Sequence, residues 1–467
     1  MQNSKKVIFS VNDIMSTWKI SNYSVGDLVD ISKIISTTCA ARPSGYQHMA
    51  KFKAGMWDGY IRLAKGNSLP SGLVHYACEN LEEAGYACEC TYTCVYPDLL
   101  MLEPVDTMLD GIVLRDYQLA AISDLIRRGR GVARMATNSG KTEVMAAICK
   151  MINCSALILT TKKDLLYQTS ERISKRLNED VSVIGDGHYE SDKRITVGMI
   201  QTLSQHPELI KELQRCNCAM FDECHHLSSS TAQSVMMKLH SSMRFGFSGT
   251  PLKNDLLSDL MLIAATGPVV VDVSNADLID VGVSAKPAIE MHVIAREASK
   301  TAYKLSWKDS YDKFIVHNDA RNNLVASLVN PIQSGSVLVL VERLDHGAIL
   351  EKLISESKFI SGSASMDVRK TATIDLGRGG GVKVISTPIF DEGVDLPAVD
   401  VLVLAGGGKA FVKILQRLGR GMRHKEGRNT LRVIDFVDDT SVVLMQHSIR
   451  RAEVYENEGF DVKIVEQ

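Results

Sequence analysis

From residue 131 onward the chain alternates short, almost continuous apolar runs with longer periodic stretches, which leaves few folds open. The runs 132–136, 156–160, 194–200, 219–222 and 244–248 read as strands. Apolar at nearly every position, they suit strands buried on both faces, and hence a parallel sheet covered by crossover helices. Periodic stretches at 114–128 and 143–152 supply two of those helices. A crossing at 269–287 and a polar, helical stretch at 303–328 lead into a second alternation. Its strands are expected at 336–341, 382–386, 399–404 and 431–436, and its helices at 346–355 and 415–422. Two α/β units in tandem follow from this pattern. Arg134 stands inside the first apolar run and needs a partner that the sequence does not name.

Only the first unit carries a phosphate-loop pattern. Ala136-Thr137-Asn138-Ser139-Gly140-Lys141-Thr142 joins a strand to a helix. Backbone N–H groups and the dipole at a helix N-terminus favour phosphate oxygens. Lys141 would reach the β- and γ-phosphates, and the Thr142 hydroxyl would ligand Mg²⁺. The pattern is incomplete, because Met135 stands where it wants a glycine and Asn138 where many such loops have another. Alone, it is also compatible with a chance loop before a helix. Asp222 and Glu223 supply the missing half, since they follow directly on an apolar strand. The first would hold Mg²⁺, and the second would orient and deprotonate the attacking water. His225 and His226 come next; adjacent side chains usually point apart, so coupling to the following motif is expected over metal binding. Far downstream, Arg417, Arg420 and Arg423 recur at three-residue steps on one helical stretch. They read either as fingers that stabilise transition-state charge or as a solvated basic face.

Composition narrows the setting. A net charge of −2 gives no chain-wide basic field, so any nucleic-acid surface must be local. No apolar run approaches the ~18 residues of a membrane span, and no leader pattern opens the chain, so a soluble cytoplasmic protein is expected. All ten cysteines precede residue 225, which suits reduced thiols. Cys78, Cys88, Cys90 and Cys94 lack the paired knuckles of a zinc site; Cys88 and Cys90 instead suit one face of a strand. Residues 1–108 have their own character, with a strand at 5–11 and helices at 25–36 and 73–85. Residues 1–65 hold nine Lys and Arg against four Asp and Glu, whereas residues 66–108 hold none against seven. Within the basic half, 51–63 gathers Lys51, Lys53, Trp57 and Arg62 around an Asp58-Gly59 turn signal and reads as a hairpin. It would meet a phosphate backbone and stack bases, or it would be a solvated hairpin with Trp57 in the core. Residues 106–111 read as a linker, and 440–467 as a helix then a strand serving domain packing or docking.

In this order the motifs resemble those of superfamily-two helicases. Arg115-Asp116-Tyr117-Gln118 resembles the adenine-reading motif, 136–142 motif I, 160–168 motif Ia and 197–203 the next strand-contacting motif. Asp222-Glu223-Cys224-His225 resembles motif II, Ser248-Gly249-Thr250-Pro251 motif III, 386–397 motif V and 416–423 motif VI. Gly55-Met56-Trp57-Asp58-Gly59, with 61–63 and 69–74, is similar to the N-terminal domain of phage UvsW-type helicases. The motif IV region, 339–343, is weakly defined and carries no role.

The resemblance implies two tandem RecA-like parallel-sheet domains preceded by a small α+β domain, with bounds 1–108, 109–275 and 276–467. It implies an ATP-dependent DNA helicase acting on branched or forked DNA, with RNA–DNA hybrids as a further substrate. ATP would be held by Arg115, Gln118, Thr137, Asn138, Ser139, Gly140, Lys141 and Thr142, and by Gly393, Asp395 and Gln416 of the second domain. Thr142 and Asp222 would hold Mg²⁺, while Lys141, Glu223, Arg420 and Arg423 would be catalytic. DNA would lie on Lys51, Lys53, Trp57, Arg62, Thr161, Lys162, Gln201, Thr202 and Thr387. A monomer is expected, in the host cytoplasm if phage-encoded. An RNA helicase, a duplex translocase that never unwinds and an inactive ATPase acting as a clamp are the competing expectations.

Overall fold

The computed structural model describes residues 6–21, 23–136, 139–253, 255–283, 286–295, 305–387, 399–407, 430–457 and 459–466. It divides into two compact units, residues 1–135 with 140–273, and residues 274–467 with the loop 136–139. No helix among the described residues is long and apolar enough to cross a membrane.

The first unit opens with a four-stranded sheet. Its strands are β1 (Lys6–Val11), β2 (Met15–Ser21), β5 (Ser68–Pro70) and β6 (Ala87–Tyr92), in the order β5-β2-β1-β6. Alternation on β1 turns Val7, Phe9 and Val11 inward. The helix Val25–Thr38 starts at Ser24, whose hydroxyl and Asp27 form a reciprocal capping box, and it buries Ile31 and Ile35 on the same core. That core runs on into Ile263 and Ala264 of the helix Leu256–Ala265. A Cβ on Gly72 would lie 2.0 Å from the Ile263 carbonyl oxygen, so only glycine permits this approach.

The expected hairpin at 51–63 does not form. Lys51 and Lys53 belong to the short helix Ala50–Lys53, and β4 (Ile61–Arg62) pairs with β3 (Ala40–Ala41) instead. The Asp58 carboxylate accepts from the Tyr60 N–H and from Arg62, which closes a turn rather than a ladder. The Arg42 guanidinium lies 4.7 Å from the Tyr46 ring centroid and 4.4 Å from that of Tyr60, bracing the segment from a residue that precedes it. Residues 106–111 are likewise no free linker. Met108 and Leu109 are buried, and Arg176 donates to the Asp110 and Gly111 carbonyls.

The eight-stranded sheet of the same unit comprises β7 (Arg130–Met135), β8 (Ser155–Thr160), β9 (Val181–Gly185), β10 (His188–Tyr189), β11 (Ile195–Met199), β12 (Cys216–Asp222), β13 (Met243–Ser248) and β14 (Val269–Val273). Their order is β10-β9-β11-β8-β12-β13-β7-β14, parallel except for β10. β13 is buried at every position and β8 at all but its first, as strands covered on both faces must be. β14 lies in what the sequence suggested was only a crossing. It supplies the missing partner of Arg134, since Asp272 stands opposite it in register and forms a two-pronged ion pair with it.

The second unit is a seven-stranded, wholly parallel sheet. Its strands are β15 (Lys286–Ile294), β16 (Val337–Leu340), β17 (Ser357–Ile360), β18 (Lys383–Ser386), β19 (Val401–Leu404), β20 (Thr430–Asp438) and β21 (Asp461–Val465). They run in the order β17-β18-β16-β19-β20-β15-β21. β21 and the helix Val442–Asn457 complete the sheet and its cover, so the tail serves domain packing. The polar stretch before β16 is helical but broken into Trp307–Tyr311, a π-turn Asp312–Val316, and Asp319–Val329 capped by Asn318.

Candidate nucleotide and strand-binding site

β12, β13 and β7 are neighbours, and the candidate residues leave their carboxyl ends side by side. In open parallel sheets this edge is where ligands bind. After β7, Gly140 takes a left-handed backbone (φ 79°) and starts the helix Lys141–Met151. Lys141 Nζ lies 3.4 Å from the Met135 carbonyl oxygen, which keeps the ammonium beside the loop. Gln118 is 1% exposed, and its side-chain oxygen accepts from the Arg115 N–H in a reciprocal cap. A Cβ on Gly140 would fall 2.2 Å from Gln118 Nε2, so the adenine-reading candidate and the phosphate loop already touch. Thr137 and Asn138 lie outside the described residues.

After β12, Asp222 is buried and Glu223 adopts φ 53°, a conformation that strains a side-chain-bearing residue and recurs at functional sites. The Glu223 N–H donates to Asp222 Oδ1 at 3.0 Å. A tight 3₁₀ turn, Cys224–Ser228, follows. It keeps the expected coupling to the following motif and corrects only the expected orientation of the two histidines. Their rings do not point apart but stack, with centroids 4.1 Å apart and planes at 38°. His225 Nδ1 lies 3.1 Å from Ser248 Oγ at the end of β13 and 3.3 Å from Glu223 Oε2, so His225 joins the acidic pair to Ser248. Burial first, then the neighbouring His225 and Lys253, push the His226 pKa down to about 4.

Beside this turn lies a cleft of about 300 Å³ whose apolar floor includes Ile200 and Ala232 and whose polar groups come from Thr161, Lys162, Gln201, His226, Ser229 and Thr231. Gln201 Nε2 donates to the Thr161 carbonyl at 2.9 Å, tying the segment after β8 to the helix Ile200–Gln205, which also carries Thr202. Thr161, Lys162 and Gln201 are thus gathered as expected. His226, Ser229 and Thr231 were missed, since a short turn between strand and helix gives no periodic signal.

Lys51, Lys53, Trp57 and Arg62 sit apart, around the Arg42 cluster. Trp57 is half-buried and donates from Nε1 to the Tyr60 carbonyl at 2.8 Å, and Arg62 pairs with Asp58. The Arg62 hydrogen bond, then that of the Tyr60 N–H, hold the Asp58 carboxyl down at about 2. In the second unit, Thr387 is buried just after β18. Gly393, Asp395, Gln416, Arg420 and Arg423 lie outside the described residues.

Comparison with known proteins matches residues 111–253 to the family described as "Type III restriction enzyme, res subunit". A DNA 3'-5' translocase, XPB2, from Sulfurisphaera tokodaii is 27% identical over 362 residues, covering 69% of this chain and 81% of the relative. The ATP-dependent DNA helicase uvsW of Enterobacteria phage T4 is 22% identical over 466 residues, covering 89% and 92%. Among solved structures, T4 UvsW aligns over 99% of both chains at 19% identity and a TM-score of 0.47. Dbp5 of S. cerevisiae bound to Gle1 covers 76% of this chain and 90% of its own at 16% identity, with a TM-score of 0.52. Residues 111–253 carry the helicase domain of that family, and the two parallel sheets match the tandem RecA-like fold of superfamily-two helicases. The relatives it is similar to are of the phage UvsW and XPB types.

Proposed function

We propose that this protein is an ATP-driven DNA helicase or translocase that remodels branched DNA in phage recombination, replication and repair, by branch migration, fork regression or unwinding of displaced loops. One observation carries the reading. A phosphate loop, an acidic pair and a cleft bearing Thr161, Lys162 and Gln201 share one sheet, with the loop and the pair on strands flanking β13. The relatives named as a DNA translocase and a DNA helicase support it.

The residues present fit ATP with Mg²⁺. The left-handed Gly140 opens the helix N-terminus toward the loop, Lys141 stands beside it, and Asp222 and Thr142 offer hard oxygen donors. ATP supplies the γ-phosphoryl group whose transfer to water drives the motor. Lys141 binds phosphate oxygens, and Glu223, held by His225 and Ser248, orients and deprotonates the water. Gln118 and Arg115 sit at the base of the loop, where they read the base. Arg420 and Arg423 complete the charge, with Gly393, Asp395 and Gln416 assisting. Lys162, Thr161, Gln201, Thr202 and Thr387 hold the strand by its backbone, so binding is salt-sensitive and little affected by sequence. The functional division is 1–108 for branch contact, 109–275 for the loop-bearing motor domain and 276–467 for its partner.

The experiment is ATPase and unwinding on a fork, a four-way junction, a displaced loop, an RNA–DNA hybrid and plain duplex. Turnover stimulated most by the branched substrates is expected, and turnover indifferent to all of them would refute the reading. Trp57→Ala should weaken binding to the fork more than to duplex. An unaltered preference in a folded variant removes residues 51–62 from branch recognition.

A further inference from the structure

The cleft and the acidic pair are joined by two stacked rings. His226 lines the cleft together with Thr161, Lys162 and Gln201. Its ring stacks at 4.1 Å on His225, whose Nδ1 contacts both Ser248 Oγ (3.1 Å) and Glu223 Oε2 (3.3 Å). Ser248 Oγ in turn donates to Glu223 Oε2 at 3.4 Å, which closes a three-membered cluster around the carboxylate. Glu223 is held in a left-handed backbone conformation, so its carboxylate direction depends on these neighbours. Lys253 donates to Ser228 Oγ and Gln233 to the Leu227 carbonyl, so the turn carrying both histidines is braced from two sides.

From this geometry we infer that His226 is a positioning residue that reports strand occupancy of the cleft to Glu223 through the His225 ring. The inference rests on the helicase reading above. A strand seated against Thr161, Lys162 and Gln201 presses on the His226 face that lines the cleft. The same ring packs against His225, 4.1 Å between centroids, so the displacement passes to the carboxylate that orients water. The stack works by shape. His226 is held uncharged at neutral pH, so it adds no ion pair to the DNA backbone, and that task stays with Lys162. A planar ring of similar size should therefore replace it, and a methyl group should not.

The test compares wild type, His226→Ala and His226→Phe in two measurements. One is ATP turnover at rising concentrations of a single-stranded oligonucleotide, and the other is oligonucleotide affinity by fluorescence anisotropy. In His226→Ala, turnover at saturating strand should fall about tenfold while affinity changes less than about threefold, a coupling loss of ordinary allosteric size. His226→Phe should restore most of the stimulation. Loss of affinity with full turnover at saturation would make His226 a simple strand contact, and equal defects in Ala and Phe would refute the stacking route. Stimulated wild type with an unaltered His226→Ala brings down the relay alone. Wild-type turnover indifferent to any strand brings down the helicase reading and the relay with it.

Discussion

The two parallel sheets use their carboxyl edges differently. In the first unit, the ends of β7, β12 and β13 present Lys141, Asp222, Glu223 and Ser248, grouped around a loop and a cleft. In the second unit the corresponding region is locked by buried ion pairs. Arg321 donates to Asp438 at 2.7 Å and to the Ala405 carbonyl at 2.6 Å. Arg451 donates to Asp435 at 2.8 Å and to the Gly407 carbonyl at 2.9 Å, and Tyr455 donates to the same Asp435 oxygen. All four charged side chains are essentially inaccessible. One architecture thus serves two ends. Among the described residues, the first sheet groups its polar side chains around a loop and a cleft, whereas these two pairs of the second satisfy one another and hold the Ala405 and Gly407 carbonyls just after β19.

This contrast can be broken at either end. The largest effect belongs to the first sheet. Lys141→Ala and Glu223→Gln should each lower ATP turnover about a hundredfold or more, while thermal unfolding and DNA binding stay near wild type. A turnover that survives both would make the first edge structural. Next comes the locked edge. Arg451→Met leaves Asp435 buried without its cation and should cost about 3–5 kcal/mol in chemical denaturation, whereas Arg451→Met with Asp435→Leu should recover most of the loss.

Acid should also act on the second unit. His346 is buried, with Nε2 3.0 Å from Asn322 Oδ1, and burial pushes its pKa down to about 3. The unfolded state therefore binds more protons between about pH 6.5 and 3, so stability is full above that range and falls as pH drops through it. The slope approaches ~1.4 kcal/mol per pH unit at most, and His346→Gln should flatten it in a pH series of melting curves. The smallest effect is expected at Arg134 and Asp272. Both are about half exposed, so a double-mutant cycle should return under about 1 kcal/mol despite the two-pronged geometry.

The strands were legible because burial on two faces demands apolar residues at consecutive positions, as in β8 and β13. What the sequence hid was non-local. The partner of Arg134 lies 138 residues away, across a parallel pairing that no spacing rule encodes. The Asp58-Gly59 signal marked a real turn, yet the arginine that decides its shape, Arg42, lies 16 residues before Asp58. The stacking of His225 on His226 depends on the left-handed backbone at Glu223, which nothing about that residue type foretells. Among the candidate site residues, those following strands β7, β8 and β12 emerged together, because position at a strand end is itself a sequence signal.

The Gly72 contact has a consequence for modularity. The small N-terminal sheet shares its apolar core with Ile263 and Ala264, on a helix that starts a few residues after Ser248. A polypeptide beginning at residue 109 would expose that helix face to water and become prone to aggregation. The N-terminal sheet is therefore a structural part of the first unit rather than a separable module. Its fold depends on that helix and on a glycine at position 72.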